Sequence, residues 1–65
     1  MAPHTAPPQP ILVTVPEAAA ALRVNRSTIY ALVTAGELTL LHLGRASRIR
    51  TAELVAYVDR LARST

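Results

Sequence analysis

An α+β fold dominated by helix is what this sequence predicts: three helices and a two-stranded β-hairpin over residues 11–63, behind a proline-rich tail at residues 1–10. Three observations carry that expectation. Thr14 to Leu22 and Asn25 to Gly36 both bear helix start signals and are joined through only Arg23-Val24-Asn25. From Glu37 to Arg50 the apolar period changes from helical to alternating, and from Ala52 to Arg63 it returns to 3.6.

The tail, M-A-P-H-T-A-P-P-Q-P, holds four of the five prolines and no core-forming residue, so it reads as disordered or polyproline-like. Ile11-Leu12-Val13 is β-prone and too hydrophobic to stand in water, yet too short to be a strand alone. It is expected to add to the edge of a sheet, either its own or that of a neighbouring copy, which leaves self-association through Ile11–Val13 open. Thr14 followed by Glu17 forms a capping box, and Pro16 lies in the first turn, where its missing N–H costs nothing. Ala18 to Ala21 makes a small-residue helix able to approach a neighbour closely.

In the second helix Asn25 is the N-cap, Ile29, Leu32 and Val33 share one face, and Gly36 supplies the stop. Two helices joined by about three residues have helix-turn-helix geometry. The hairpin is read with Leu41, Leu43 and Ile49 inward, Gly44-Arg45-Ala46-Ser47 as its turn, and Arg48 and Arg50 outward. Thr51 caps the last helix, whose apolar positions Leu54, Val55, Val58, Leu61 and Ala62 are expected to close the core. Glu53 near its start and Arg60 and Arg63 near its end complement the helix dipole.

Composition narrows the function. A chain of 65 residues holds one small domain, and with Tyr30 and Tyr57 as its only aromatics the core must come from Leu, Val, Ile and Ala. With no Cys there is no disulfide, thiolate zinc site or Cys nucleophile. No apolar run is long enough for a membrane span and no signal-peptide h-region opens the chain, so a cytoplasmic protein is expected. Neither a nucleophile–base pair nor a glycine-rich phosphate loop is visible, and Glu37, Glu53 and Asp59 are scattered; no enzyme, metal or cofactor is expected. His42 reads as an outward strand residue, and His4 lies in the tail.

The net charge of +3 comes from seven Arg against four acids, with no Lys. Arg suits bidentate phosphate and guanine contacts, although an Arg-only chain also fits a GC-rich genome. Position is more telling. Arg26 stands in the first turn of the second helix, where a cation opposes the dipole and stability alone favours Asp or Glu. Beside it Ser27, Thr28 and Tyr30 complete a polar face, with Thr34 further along the same side, suited to the DNA major groove, while Ser27 and Thr28 also suit capping of free N–H groups. Arg45 and Arg48 flank the hairpin turn and favour phosphate contact; Arg50 either joins them or pairs with Glu53.

The segments V-P-E-A-A-A-A-L (Val15 to Leu22), V-N-R-S-T-I-Y (Val24 to Tyr30), A-G-E-L (Ala35 to Leu38) and G-R-A-S-R-I (Gly44 to Ile49), in this order, resemble the MerR-type winged helix-turn-helix in its minimal form, that of phage and integrative-element excisionases. The resemblance spans most of residues 13 to 62. It implies a second helix in the major groove of double-stranded DNA, through Arg26, Ser27, Thr28 and Tyr30, and a wing on phosphates or in the minor groove, through Arg45 and Arg48. Two residues depart from the family: Arg23 stands at a turn position that is usually Gly, where it either adds a phosphate contact or tolerates a left-handed backbone, and Ser47 stands where many relatives have an aromatic. The implied function is that of a recombination directionality factor in a bacterial nucleoid, working in several copies on repeated sites, bending DNA and meeting an integrase. A transcriptional or plasmid regulator of the same fold is the alternative. A protein-interaction module using Ile11 to Val13 and Leu40 is another.

Overall fold

The computed structural model describes residues 10–64, and the expected tail lies outside them except for Pro10. Chain order is β1 (Leu12–Val13), α1 (Val15–Leu22), α2 (Arg26–Thr34), β2 (Leu40–Leu43), β3 (Ala46–Arg50) and α3 (Thr51–Ser64). Three helices and a small antiparallel sheet make the expected α+β fold, consistent with a winged helix-turn-helix.

Local chemistry sets each boundary. The capping box at α1 forms in full: the Glu17 N–H donates to Thr14 Oγ1 at 3.1 Å, and the Thr14 N–H donates to Glu17 Oε1 at 2.8 Å. These bonds, the backbone N–H of Thr14 foremost, hold the Glu17 carboxyl below its ordinary value of 4.5, with the charge of Arg48 assisting. At the end of α2 the Gly36 N–H reaches the Val33 carbonyl and the Glu37 N–H reaches the Leu32 carbonyl, a Schellman closure with Gly36 at φ 83°. That closure turns the chain so that Leu38 enters the core.

The sheet order is β1-β3-β2, so three strands form where a two-stranded hairpin was expected. The apolar triplet joins its own sheet rather than a neighbour's, with Leu12 opposite Arg50 and Val13 opposite Ile49. Thr51 fixes the entry from both sides. Its N–H donates to the Ile11 carbonyl at 2.9 Å and its hydroxyl donates to the Pro10 carbonyl, so Pro10 is tethered rather than part of a free tail.

Register also corrects the inward face of the hairpin. Leu40 lies opposite Ile49, and Leu43 lies opposite Ala46. Directly opposed residues share a face, so Val13, Ile49 and Leu40 form one apolar row against the helices. Leu41 and Leu43 fall on the other face with Arg48, and Leu43 is 55% exposed. Leu40 is partly buried and packs on the core.

The buried core is Val15, Ala18, Ala19, Ile29, Leu38, Ile49 and Leu54. Ala18 and Ala19, without bulk beyond Cβ, let α1 lie close to α2, whose single buried residue is Ile29. The last helix closes this core less completely than expected. Leu54 is buried and Tyr57 packs against the cluster, but Val55, Val58 and Leu61 remain about half exposed because the helix outruns so small a core. Arg60 does more than offset the dipole: it donates to the Glu37 carbonyl at 2.9 Å and to Glu37 Oε1 at 3.1 Å, and lies over the Tyr57 ring.

Two outcomes are expected. Ile29→Ala removes a fully buried side chain at a cost of roughly 2–5 kcal/mol, enough to abolish the cooperative thermal transition followed by circular dichroism. Because Glu17 has a lowered folded pKa, its contribution is fully present above its unfolded value and is lost as pH falls through the folded value. The Tm of the wild type should therefore drop below about pH 4.5, and Glu17→Gln should make that drop shallower.

Candidate nucleic-acid interface

The turn between α1 and α2 is closed by one unusual residue. Arg23 has φ 60° and ψ 43°, and among the described residues it is the one non-glycine with positive φ. Its N–H reaches the Ala20 carbonyl at 3.2 Å and the Val24 N–H reaches the Ala19 carbonyl at 2.9 Å. These bonds hold the chain in the left-handed region against the clash between Cβ and carbonyl that makes glycine the usual occupant. Of the two alternatives left by the sequence, tolerance of a left-handed backbone is thus observed at Arg23, and its side chain stays exposed.

From Arg23 the chain passes directly into α2. Asn25, in extended conformation, accepts three hydrogen bonds at one oxygen: from the Thr28 N–H at 3.1 Å, the Thr28 hydroxyl at 3.0 Å and the Ser27 hydroxyl at 2.7 Å. Both hydroxyl protons are thereby spent on the cap. Ser27 and Thr28 then present oxygen lone pairs outward, which accept from donors but offer nothing to a phosphate. Arg26 and Tyr30, one turn apart, are exposed, with Tyr30 at 51%. Ile29 between them is fully buried and fixes which way this face looks.

Electrostatics single out α2 among the three helices. Glu17 lies in the first turn of α1 and Glu53 in that of α3, whereas α2 has no acid there and carries Arg26 instead. The positive end of its dipole is left uncompensated and reinforced.

The hairpin arginines are not equivalent. Arg45 sits exposed in the turn after Gly44, whose φ is 62°, with no recorded side-chain partner among the described residues. Arg48 is half-buried, donates from Nη1 to the Ser47 carbonyl at 2.9 Å, and lies near enough to Glu17 to stabilise its charge. Arg50 takes the second of the two roles left open for it: its Nη2 lies 2.7 Å from Glu53 Oε2, and Glu53 in turn accepts from the Thr39 N–H at 3.2 Å. The expected residues therefore divide into three groups. Arg23, Arg26, Ser27, Thr28 and Tyr30 are contiguous on the turn and α2, Arg45 and Arg48 occupy the hairpin, and Arg50 serves the junction with α3.

Leu43 was missed because alternation counted from the wrong residue put it inside. It stands exposed beside Gly44 and Arg45 at the hairpin tip. Nothing in the sequence short of the strand register could have located it. No group of His, Cys, Asp and Glu able to hold a metal occurs among the described residues, and none of their helices is long and apolar enough to cross a membrane.

Arg23→Gly relieves the left-handed strain but adds unfolded-state entropy, so the net gain in stability should lie between zero and about 1 kcal/mol. Urea denaturation checks this, and a clear loss of stability would mean that the Arg23 side chain supports the fold.

Comparison with known proteins agrees with this geometry. Residues 12–62 match the helix-turn-helix domain family. Over 54 residues the chain is 41% identical to a probable excisionase of Saccharopolyspora erythraea, a match that covers 83% of this chain and 55% of that relative. The chain thus spans about half the length of the curated relative it matches. No solved structure matches it. With α1 packed on α2, an exposed cationic face on the second helix and a family match over nearly the whole described domain, the chain belongs to the helix-turn-helix domain family.

Proposed function

We propose that the protein is an excisionase, a recombination directionality factor that binds repeated sites on double-stranded DNA and bends it. The observation that carries the DNA-contact part is Arg26 on the uncompensated N-terminal turn of an exposed helix whose orientation is fixed by buried Ile29. The likeness to a probable excisionase supports the recombination role, and the four sequence segments from Val15 to Ile49 support a MerR-type arrangement.

In this reading α2 enters the major groove. Arg26 reaches a guanine edge or the flanking phosphate, and Tyr30 one turn on meets a phosphate through its hydroxyl. Ser27 and Thr28, with their protons held by Asn25, accept from the exocyclic amino groups of adenine or cytosine. Arg23 approaches the backbone beside the groove, which accounts for an arginine in a conformation that favours glycine. Arg45 leads the wing onto phosphates or into the minor groove with Arg48 behind it, while Arg50 contributes through the Glu53 bridge that sets the wing against α3.

A face of so few side chains selects only a few base pairs, so specificity comes from several copies side by side on repeated sites. Copies arrayed in this way bend the duplex, and an integrase is the partner such a complex serves. The compartment is the cytoplasm, on the nucleoid of a bacterial host.

Footprinting across the protein's own gene and a neighbouring attachment site tests the assignment. A row of adjacent protected repeats is expected; one isolated promoter site would make the protein a transcriptional regulator instead. Arg26→Ala should cost about 1–3 kcal/mol on the specific site and relax preference at one position. Unchanged site preference in that variant would remove α2 from the reading role. Arg23→Gly should weaken binding uniformly across sequences without any loss of stability.

A further inference from the structure

The hairpin carries an apolar side chain that the core does not use. Residues directly opposed, or two apart along a strand, share a face, so Leu43 lies with Ala46, Leu41 and Arg48 on the side of the sheet turned away from the Val13, Ile49 and Leu40 row. Strand rise sets it roughly 10 Å beyond Leu40, the β2 residue that packs on the core. Its partner across the ladder, Ala46, is too small to cover it, and Leu43 is left 55% exposed. Folding gains little from a leucine at this position.

The support beneath the side chain is stiff. The strands are joined by two residues, Gly44 and Arg45, where a turn of four was expected, and Gly44 takes the first turn position at φ 62°, as tight hairpins of this length favour. β3 is paired on both sides, and its Ile49 is fully buried. Leu43 is thus held in register at the tip of an anchored hairpin.

Charge indicates what it meets. From Leu40 to Arg50 the hairpin holds three arginines and no acid. Arg45 adjoins Leu43 through the turn and has no acidic partner among the described residues, while Arg48 lies two residues behind Ala46 on the same face. An apolar side chain set among cations matches the minor groove of a duplex, where sugar and base edges lie between rows of phosphates in a cleft about 6 Å wide. Leu43 beside the small Ala46 makes a tip narrow enough to enter it.

We propose, resting on the DNA-contact reading of the hairpin arginines, that Leu43 is an apolar wedge: with Arg45 and Arg48 on the phosphates, it enters the minor groove and opens one base step. Pyrimidine–purine steps unstack most readily, so the wedge favours such a step in each repeat without any hydrogen bond to a base. Opening a step from the minor groove kinks the duplex toward the major groove by about 20° or more. Each copy thereby adds a bend of its own to that of the array.

The test uses a duplex of a single footprinted repeat, with 2-aminopurine placed in turn at each adenine and fluorophores at the two ends. Wild type should brighten 2-aminopurine at one pyrimidine–purine step and raise energy transfer between the ends. Leu43→Ala, at an exposed position that leaves the thermal transition intact, should lose both signals with its salt slope unchanged. Its affinity should fall only about three- to tenfold, because the cost of unstacking disappears together with the contact. Leu43→Met keeps the apolar reach and should retain the brightening, whereas Arg45→Ala should lower the salt slope by about one. Brightening and bending by Leu43→Ala equal to wild type overturn the wedge and leave the arginine contacts standing. A wild type that fails to bind the duplex overturns the DNA-contact reading and the wedge with it.

Discussion

Everything this molecule presents to a partner depends on the close approach of α1 to α2. Ala18 and Ala19 on one helix leave room for Ile29 on the other, and Val15, Leu38, Ile49 and Leu54 complete a core of seven residues. With so few buried side chains, no single element is held by packing alone. The orientation of the exposed face of α2 is inherited from one fully buried isoleucine, and a shift there would move Arg26 and Tyr30 together.

A core of that size needs support from hydrogen bonds at its edges, and the polar residues are deployed accordingly. Thr14 and Glu17 close one end of α1, Asn25 gathers three donors at the start of α2, and Gly36 turns the chain back at its end. Three of the four acids also have structural partners: Glu17 in its cap, Glu53 with Arg50, and Glu37 with Arg60. The cations left for other work are consequently fewer than the seven arginines imply. Among the described residues Arg23, Arg26, Arg45 and Arg63 are exposed without an acidic partner, Arg63 at the far end of α3, and Arg48 is only partly engaged.

Much of this was legible before any coordinates, for identifiable reasons. Caps are local, so Thr14-x-x-Glu17, Asn25 and Gly36 announced their helix ends from a few adjacent residues. Arg23 at a position that favours glycine was visible as a departure from a motif. Strand register was not visible: in Leu40-Leu41-His42-Leu43 three leucines compete, and only the pairing with Ile49 decides which one faces inward. Depth of burial along α3 escaped for a similar reason, since a 3.6-residue period reveals a face but not where the core ends beneath it. The partners of Ser27, Thr28 and Arg60 also depend on side-chain geometry that spacing does not encode.

The account is tested most directly by the salt dependence of affinity for a specific duplex. Four arginines available for phosphates predict a slope of log K against log salt near −3.5, since each neutralised phosphate contributes about −0.9. A slope close to zero would contradict a DNA interface built from Arg23, Arg26, Arg45 and Arg48. One steeper than about −5 would mean that cations outside this set, Arg63 or the acid-paired Arg50 and Arg60, join the interface.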